Sequence, residues 1–323
     1  MCLRAIQQSR VLPAEVLVVD DGSDDKSADV AERLGAHVLR LPKSRGPAAA
    51  RNVGADTAQQ PVLMFLDADV IVHPDTIELV DAALSSDSTV GALFGAYDDA
   101  PLALGIVSQY RNLLHHFTHC TAQRHAWTFW AGCGAIRRDL FFACGGFDEQ
   151  YAEPSIEDIE LGLRLTRAGV RILVIPEIQI CHMKKWTLWG MLRTDVLLRA
   201  WPWSRLLLRS GCLPADLNLD WRQRASALLA WLCVVLAAAG FIRGTAGFSA
   251  ILAAAAVAFI NLPFFRFLIR VRGVVFALRA FPLHILYLLY SSATFTVASV
   301  VHFLQSMRAQ PLAGKTRGPE AGI

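Results

Sequence analysis

Three groups of carboxylates punctuate the first half of the sequence. Asp67-Ala68-Asp69 ends the apolar run Val62-Leu63-Met64-Phe65-Leu66. A strand of that composition is buried on both faces of a sheet, and its last side chains point into the crevice where ligands sit in open α/β folds. Two carboxylates there make a hard oxygen site suited to Mg²⁺ or Mn²⁺, which take one or two carboxylates and fill the remaining positions with water and substrate phosphates. The same Asp-x-Asp pattern also occurs in ordinary turns and helix caps. Upstream, Glu15-Val16-Leu17-Val18-Val19 runs into Asp20-Asp21-Gly22-Ser23-Asp24-Asp25. Downstream, Ser155-Ile156-Glu157-Asp158 has the form of a helix-start capping box, and first-turn acids are stabilised by the helix dipole, so capping alone would account for both carboxylates.

The elements around these acids alternate. A helical pattern from Ser27 to Leu34 closes at Gly35; a strand follows from Ala36 to Leu41, then the loop Ser44-Arg45-Gly46-Pro47, a helix from Ala48 to about Thr57, and the strand that carries Asp67. Such alternation predicts a parallel sheet with right-handed crossovers, which places both acidic clusters at carboxyl ends of strands on one edge of one sheet. Ile159, Leu163 and Thr166 continue the helix that starts at Glu157, and Gly169 ends it before a strand from Val170 to Ile175.

Five ordered stretches together resemble the family 2 inverting glycosyltransferases of the GT-A fold. They are Glu15 to Ser23, Gly46 to Gly54 (GPAAARNVG), Phe65 to Asp69, Gly145-Gly146-Phe147-Asp148-Glu149, and Glu157 to Arg164 (EDIELGLR). The resemblance covers about the first 200 residues. It implies a Rossmann-like GT-A domain in which Asp20 or Asp21 holds the base and ribose of a nucleotide-sugar and Arg51 lies beside the nucleotide. Asp67 would face the ribose or a metal-bound water, and Asp69 would bind the Mg or Mn ion that bridges the diphosphate. The family's base corresponds to Asp158, with Glu157 beside it. In many members a histidine near the spacing of His182 completes the metal site together with Asp69. Gly132-Cys133-Gly134 resembles the family's acceptor-facing strand. Taken without the family, Arg51 reads as a surface ion pair, His182 as a structural histidine and Gly132 to Gly134 as a tight strand bend.

The implied chemistry is one in-line displacement at the anomeric carbon. Asp158 accepts the proton of an acceptor hydroxyl, and the sugar inverts. A polyprenyl phosphate is already an anionic nucleophile and needs no base, so the Glu157-Asp158 pair tilts the expectation toward a hydroxyl on a lipid or lipid-linked sugar. Polyprenyl phosphate remains the alternative acceptor. Nucleotidyl transfer and a catalytically inactive membrane scaffold are the rival readings.

Composition supplies the rest. Seven cysteines without a Cys-x-x-Cys argue against a disulfide framework, and Met1 to Ile6 lacks the apolar core of a signal peptide, so the catalytic part is expected in a reducing cytosol. The hydrophobic fraction is 54%, above the roughly 45–50% of soluble domains. Its excess lies in three uncharged stretches, Ala225 to Ile242, Gly244 to Phe265 and Ala280 to Met307, each long enough for a transmembrane helix. Arg222 and Arg224 precede the first, and Arg266, Arg270, Arg272 and Arg279 follow the second. By the positive-inside rule both places are cytoplasmic, which predicts a multi-pass protein of the inner membrane with its catalytic domain in the cytoplasm. Between the two parts, Lys184, Lys185, Arg193, Arg199, Arg205 and Arg209 alternate with Trp186, Trp189, Trp201 and Trp203. Mixed cations and indoles describe a segment lying on an anionic membrane surface, and a net charge of +3 offers no nucleic-acid footprint.

The expected division is thus a GT-A domain over 1–182, an interfacial segment over 183–221, three spans over 222–307 and a tail over 308–323. Two departures from the family stand out. Its members open with a further strand that supplies part of the nucleotide pocket, whereas this sequence starts inside the helix that follows. The Gln-x-x-Arg-Trp motif of processive synthases is absent, with only Arg199-Ala200-Trp201 as an echo, so transfer of one sugar is expected rather than polymerisation.

Overall fold

The structure is a computed structural model that describes residues 1–211, 221–243 and 247–309, the side chains of 241–243, 247 and 309 excepted. After helix α1 (Cys2–Gln7), strand β1 (Leu17–Asp20) pairs in parallel with β2 (His37–Arg40), and α2 (Ser27–Arg33) crosses between them. Helix α3 (Pro47–Thr57) then leads into a separate five-stranded sheet ordered β3 (Val62–Leu66), β6 (Cys133–Arg137), β5 (Val90–Tyr97), β7 (Arg171–His182) and β4 (Val70–Val72).

This corrects the expectation of one parallel sheet. The β3/β6, β6/β5 and β7/β4 pairs are antiparallel, with β5/β7 the parallel pair of that sheet. Asp20 and Asp67 therefore end strands of two different sheets. A continuous apolar run reports burial on both faces and carries no information on the direction of the neighbouring strand. The strand expected from Val170 to Ile175 also runs on to His182, because its later half pairs with β4.

All eight residues of β5 are buried. Successive side chains of a strand point to opposite faces, and accordingly Phe94 joins Phe129, Phe141, Phe147 and Leu161 on one side, whereas Leu93 joins Val70, Val80, Ile178 and Ile180 on the other. Helices α4 (Thr76–Ser86), α5 (Ile106–Cys120), α6 (Arg138–Ala143) and α7 (Glu157–Arg167) complete the layers.

Beyond β7 the chain is helical: α8 (Leu188–Arg193), a π-helical turn (Thr194–Ala200), α9 (Trp201–Ser210), α10 (Trp221–Arg243), α11 (Gly247–Ile260), α12 (Leu262–Arg272) and α13 (Val274–Ala309). Among the described residues, Trp221–Gly240 and Val274–Arg308 are long and apolar enough to cross a membrane. The expected second span is bent: α11 and α12 meet at 76°. Pro263, in the first turn of α12, lacks the N–H that would continue α11. Below the bend, Phe264, Phe265, Phe267 and Leu268 pack on Tyr110, Leu113 and Leu114 of α5. Arg272 donates to the Gln109 side chain at 2.7 Å and to the Asp99 carbonyl at 2.7 Å. The end of the expected second span is thus a bracket on the α/β part. Residues 212–220 of the expected interfacial segment, residues 244–246, and residues 310–323 of the tail expected over 308–323 lie outside the described residues.

Gly46 is one position where this fold tolerates no side chain. It holds φ at +91°, and a Cβ there would lie 2.0 Å from the Ala152 carbonyl oxygen, in the segment that leads into α7. Gly35 has φ +81° but nothing within 4 Å. Left-handed strain costs about 1–3 kcal/mol, so Gly35→Ala is expected to lose that much. Gly46→Ala adds a backbone clash and is expected to lower the melting temperature of detergent-solubilised protein further than Gly35→Ala does; equal shifts would show that α3 and the 147–156 segment do not pack this closely.

Candidate active site

Arg51, on the second turn of α3, reaches two acids from different parts of the chain. Its Nη1 donates to Glu157 Oε1 at 2.7 Å and its Nη2 to Asp67 Oδ1 at 2.9 Å. The Glu157 side chain is 5% exposed, so this pairing is a buried one that needs all its oxygens satisfied, unlike the surface ion pair that residue type alone suggested. Its second oxygen accepts from the Ser155 N–H at 2.9 Å. The capping-box expectation is corrected here. The N-cap position of α7 is Ile156, no side chain caps it, and the Ser155 hydroxyl donates instead to the Leu198 carbonyl in the π-helical turn. Glu157 thus bridges Arg51 and the Ser155 N–H, and Asp158, the acid three residues after Ser155, accepts from other backbone donors.

With Glu157 and Arg51 engaged, Asp158 is left to the cavity. Its Oδ2 accepts from the Ala131 N–H at 3.1 Å and its Oδ1 from the Ile159 N–H at 2.8 Å. Burial, followed by the neighbouring Glu157 charge, pushes its carboxyl up to about 7; Arg51 and the two backbone donors pull only partly the other way.

Asp69 and His182 are brought together by strand pairing. Val70 of β4 lies opposite His182 of β7, and the Met183 N–H donates to the Asp69 carbonyl at 2.9 Å. Asp69 Oδ2 consequently sits 3.6 Å from His182 Nε2, and the histidine holds the Asp69 carboxyl below its ordinary range. The imidazole is itself fixed by a parallel stack on Tyr97, with ring centroids 4.3 Å apart. Asp67 turns to Arg51 instead, and among the described residues no three His, Cys, Asp or Glu side chains converge on one point. A half-exposed carboxylate beside one imidazole fits Mg²⁺ or Mn²⁺, which keep most positions for water and substrate phosphate.

These residues share the wall of one cavity of about 880 Å³, lined by Arg51, Asp67, Asp69, Gly132, Glu157, Asp158 and His182. Asp20 and Asp21 lie outside its lining. Asp20 accepts from the Ser23 N–H at 3.0 Å. Asp21 accepts from the Ser44 hydroxyl at 2.8 Å and the backbone of Arg45 at 2.7 Å and Gly46 at 2.8 Å, shaping the turn into α3. Of the three small residues in the Gly132 stretch, Gly132 alone faces the cavity. A Cβ there would strike the Trp130 indole at 2.6 Å, Cys133 is buried in the core, and a Cβ on Gly134 would meet the Trp130 carbonyl at 2.4 Å.

Several lining residues were not singled out from the sequence. Trp130, Tyr97 and His115 form an aromatic cluster beside His182, with Tyr97 to His115 at 4.3 Å and His115 to Trp130 at 4.6 Å. Arg111 donates to Asp195 at 2.7 Å, and Tyr290 of α13 donates to the other Asp195 oxygen at 2.5 Å. The i, i+4 spacing of Arg111 and His115 on α5 places them on one helix face, but their partners are far away in sequence and no local pattern reveals them.

Residues 2–143 match the family described as Glycosyl transferase family 2, and residues 111–186 match a second, described as N-terminal domain of galactosyltransferase. The validoxylamine A glucosyltransferase of Streptomyces hygroscopicus subsp. jinggangensis is 30% identical over 195 residues, covering 50% of this chain and 46% of that protein. This chain thus spans less than half the length of that relative. The N-acetylglucosaminyl-diphospho-decaprenol L-rhamnosyltransferase of Mycobacterium tuberculosis is 28% identical over 207 residues, 53% of this chain and 67% of that one. In fold, the chain is similar to the mannosyltransferase PcManGT from Pyrobaculum calidifontis, solved in complex with GDP-Man and Mn2+. The TM-score is 0.52 at 19% identity, over 94% of this chain and 82% of that one. Taken with the mixed sheet, these matches give the chain the GT-A fold, with a domain over residues 2–143 that matches the family 2 glycosyltransferases, followed by helices apolar enough to cross a membrane.

Proposed function

We propose that this protein is a membrane-anchored inverting glycosyltransferase that passes a sugar from a nucleoside-diphosphate donor to a hydroxyl of a lipid or lipid-linked glycan. The observation that carries this reading is Asp158: a carboxylate held by two backbone donors, left unpaired by the neighbouring Arg51–Glu157 pair and facing the cavity shared with Asp69 and His182.

Asp69 and His182 would hold Mg²⁺ or Mn²⁺ against the donor diphosphate. Bound there, such an ion supplies charge neutralisation for the departing nucleoside diphosphate. Arg51 keeps Asp67 and Glu157 in place on the donor side, and Asp20 and Asp21 at the end of β1 are the candidates for the nucleoside. Asp158 takes the proton from the acceptor hydroxyl as that oxygen attacks the anomeric carbon from the face opposite the leaving group. One such displacement inverts the centre. General-base assistance of this kind contributes roughly 10²–10⁴-fold. The membrane helices and the cationic, Trp-rich segment before them would keep the site on the cytoplasmic face of an inner membrane, next to a lipid-borne acceptor.

Asp158→Asn is expected to keep nucleoside-diphosphate binding while lowering turnover by roughly 10²–10⁴-fold; full turnover would remove the base assignment. The pH dependence of Asp158 has two opposite signs. Because its folded-state value lies above the ordinary 3.8, its contribution to stability is fully present below about 4 and is lost as pH rises through about 7. Activity needs the carboxylate, so kcat/KM should climb across the same interval. A flat kcat/KM profile between pH 5.5 and 8 would contradict the assignment.

A further inference from the structure

The cavity is lined jointly by the α/β part and by the helices beyond β7, and its wall carries apolar as well as charged side chains. On the segment running from the π-helical turn into α9, Arg199, Trp203 and Leu207 all line it, on successive turns, in that order. Across the cavity α13 offers Tyr290, then Ser291, then Phe295. Polar and apolar residues are interspersed on both walls, with Ser204 between Trp203 and Leu207, and Leu288 and Ser292 flanking Tyr290 and Ser291. Among the described residues Arg199 makes no ion pair or hydrogen bond, whereas nearby Arg111 is bound to Asp195, although its Nε has no partner. Arg199 is close enough to act electrostatically on Tyr97 and His115, the rings that pack beside His182. An unpaired guanidinium in a cavity that also presents Trp203, Leu207 and Phe295 matches an amphiphile with an anionic head and an apolar tail.

We propose that Arg199 binds the phosphate of a lipid phosphate or diphosphate carrier whose tail lies between Trp203, Leu207 and Phe295. Resting on the transferase reading above, this narrows the acceptor to a sugar borne on a lipid diphosphate, with the anion at Arg199 and the sugar toward Asp158. Free phosphate would satisfy the guanidinium but not the apolar side chains; a neutral lipid would do the reverse.

The test is binding of farnesyl diphosphate to the full chain in detergent, by isothermal titration calorimetry, without donor and therefore without turnover. Farnesol and inorganic pyrophosphate are each expected to bind at least about tenfold more weakly, and Arg199→Ala to weaken farnesyl diphosphate by about tenfold or more, the loss of one charge-assisted contact. Arg199→Lys should recover most of the affinity, and Mn²⁺-dependent nucleoside-diphosphate binding should be unchanged in both variants, which also reports folding. Unchanged farnesyl diphosphate binding in Arg199→Ala overturns the proposal. So does a parallel loss of nucleoside-diphosphate binding, which would move Arg199 to the donor site. Pyrophosphate or farnesol binding as tightly as farnesyl diphosphate would equally contradict it, by showing a bare anion site or a bare apolar groove. A chain that binds farnesyl diphosphate through Arg199 yet transfers no sugar retains this subsite and loses the transferase reading.

Discussion

The two hydrogen-bonded ion pairs of Arg51 are the constraint on which the rest of the site depends. One guanidinium joins α3, the turn after β3 and the start of α7, at 2.7 and 2.9 Å. Glu157 depends on this contact, since a buried carboxylate without a partner is strongly disfavoured. By occupying Glu157 and one oxygen of Asp67, Arg51 divides four neighbouring acids into two that are structurally engaged and two, Asp69 and Asp158, whose carboxylates face the cavity. Asp158 titrates high first because it is buried and next because it lies beside the Glu157 charge, which Arg51 offsets only in part.

A second constraint ties this centre to the membrane-type helices. Ser155, two residues before Glu157, donates to the π-helical turn through Leu198, and the same turn places Asp195 between Arg111 of α5 and Tyr290 of α13. Helix α12 is bound to the α/β part through its phenylalanines and Arg272. The apolar helices are therefore fastened to the site at several points, and a change in how α13 sits would be felt at Asp195 and, through the turn, at the start of α7. π-helical turns often occur at functional positions because they trade regular hydrogen bonding for altered side-chain placement.

Much of this was readable from the sequence, for physical reasons that also mark the limits. The runs around Val19 and Phe65, the helix over Pro47–Thr57 and the start of α7 at Glu157 follow from local periodicity and breakers, which act within a few residues. Strand direction does not, since Val62 to Leu66 is equally content beside a parallel or an antiparallel neighbour; the mixed sheet was missed for that reason. The bend at Asn261 was visible only as Pro263 within an uncharged stretch. Hydropathy counts apolarity and not where the apolar face points, and α12 points its phenylalanines at α5. The capping box at Ser155 failed because its hydroxyl goes to the Leu198 carbonyl, 43 residues away in sequence, and Asp158 accepts from the Ala131 N–H, 27 residues away. Tyr97, Trp130 and Arg111 were illegible in the same way, their roles being set by partners distant in the chain.

The central claim is that Asp69 and His182 form the diphosphate end of a nucleotide-sugar site organised around Arg51. Calorimetric binding of UDP, GDP and dTDP to the purified full chain, with and without Mn²⁺ and repeated on Asp69→Ala, tests it most directly. The account predicts that one of the three binds in a Mn²⁺-dependent manner and that Asp69→Ala abolishes the dependence. Binding that is indifferent to Mn²⁺, or that survives unchanged in Asp69→Ala, would contradict it.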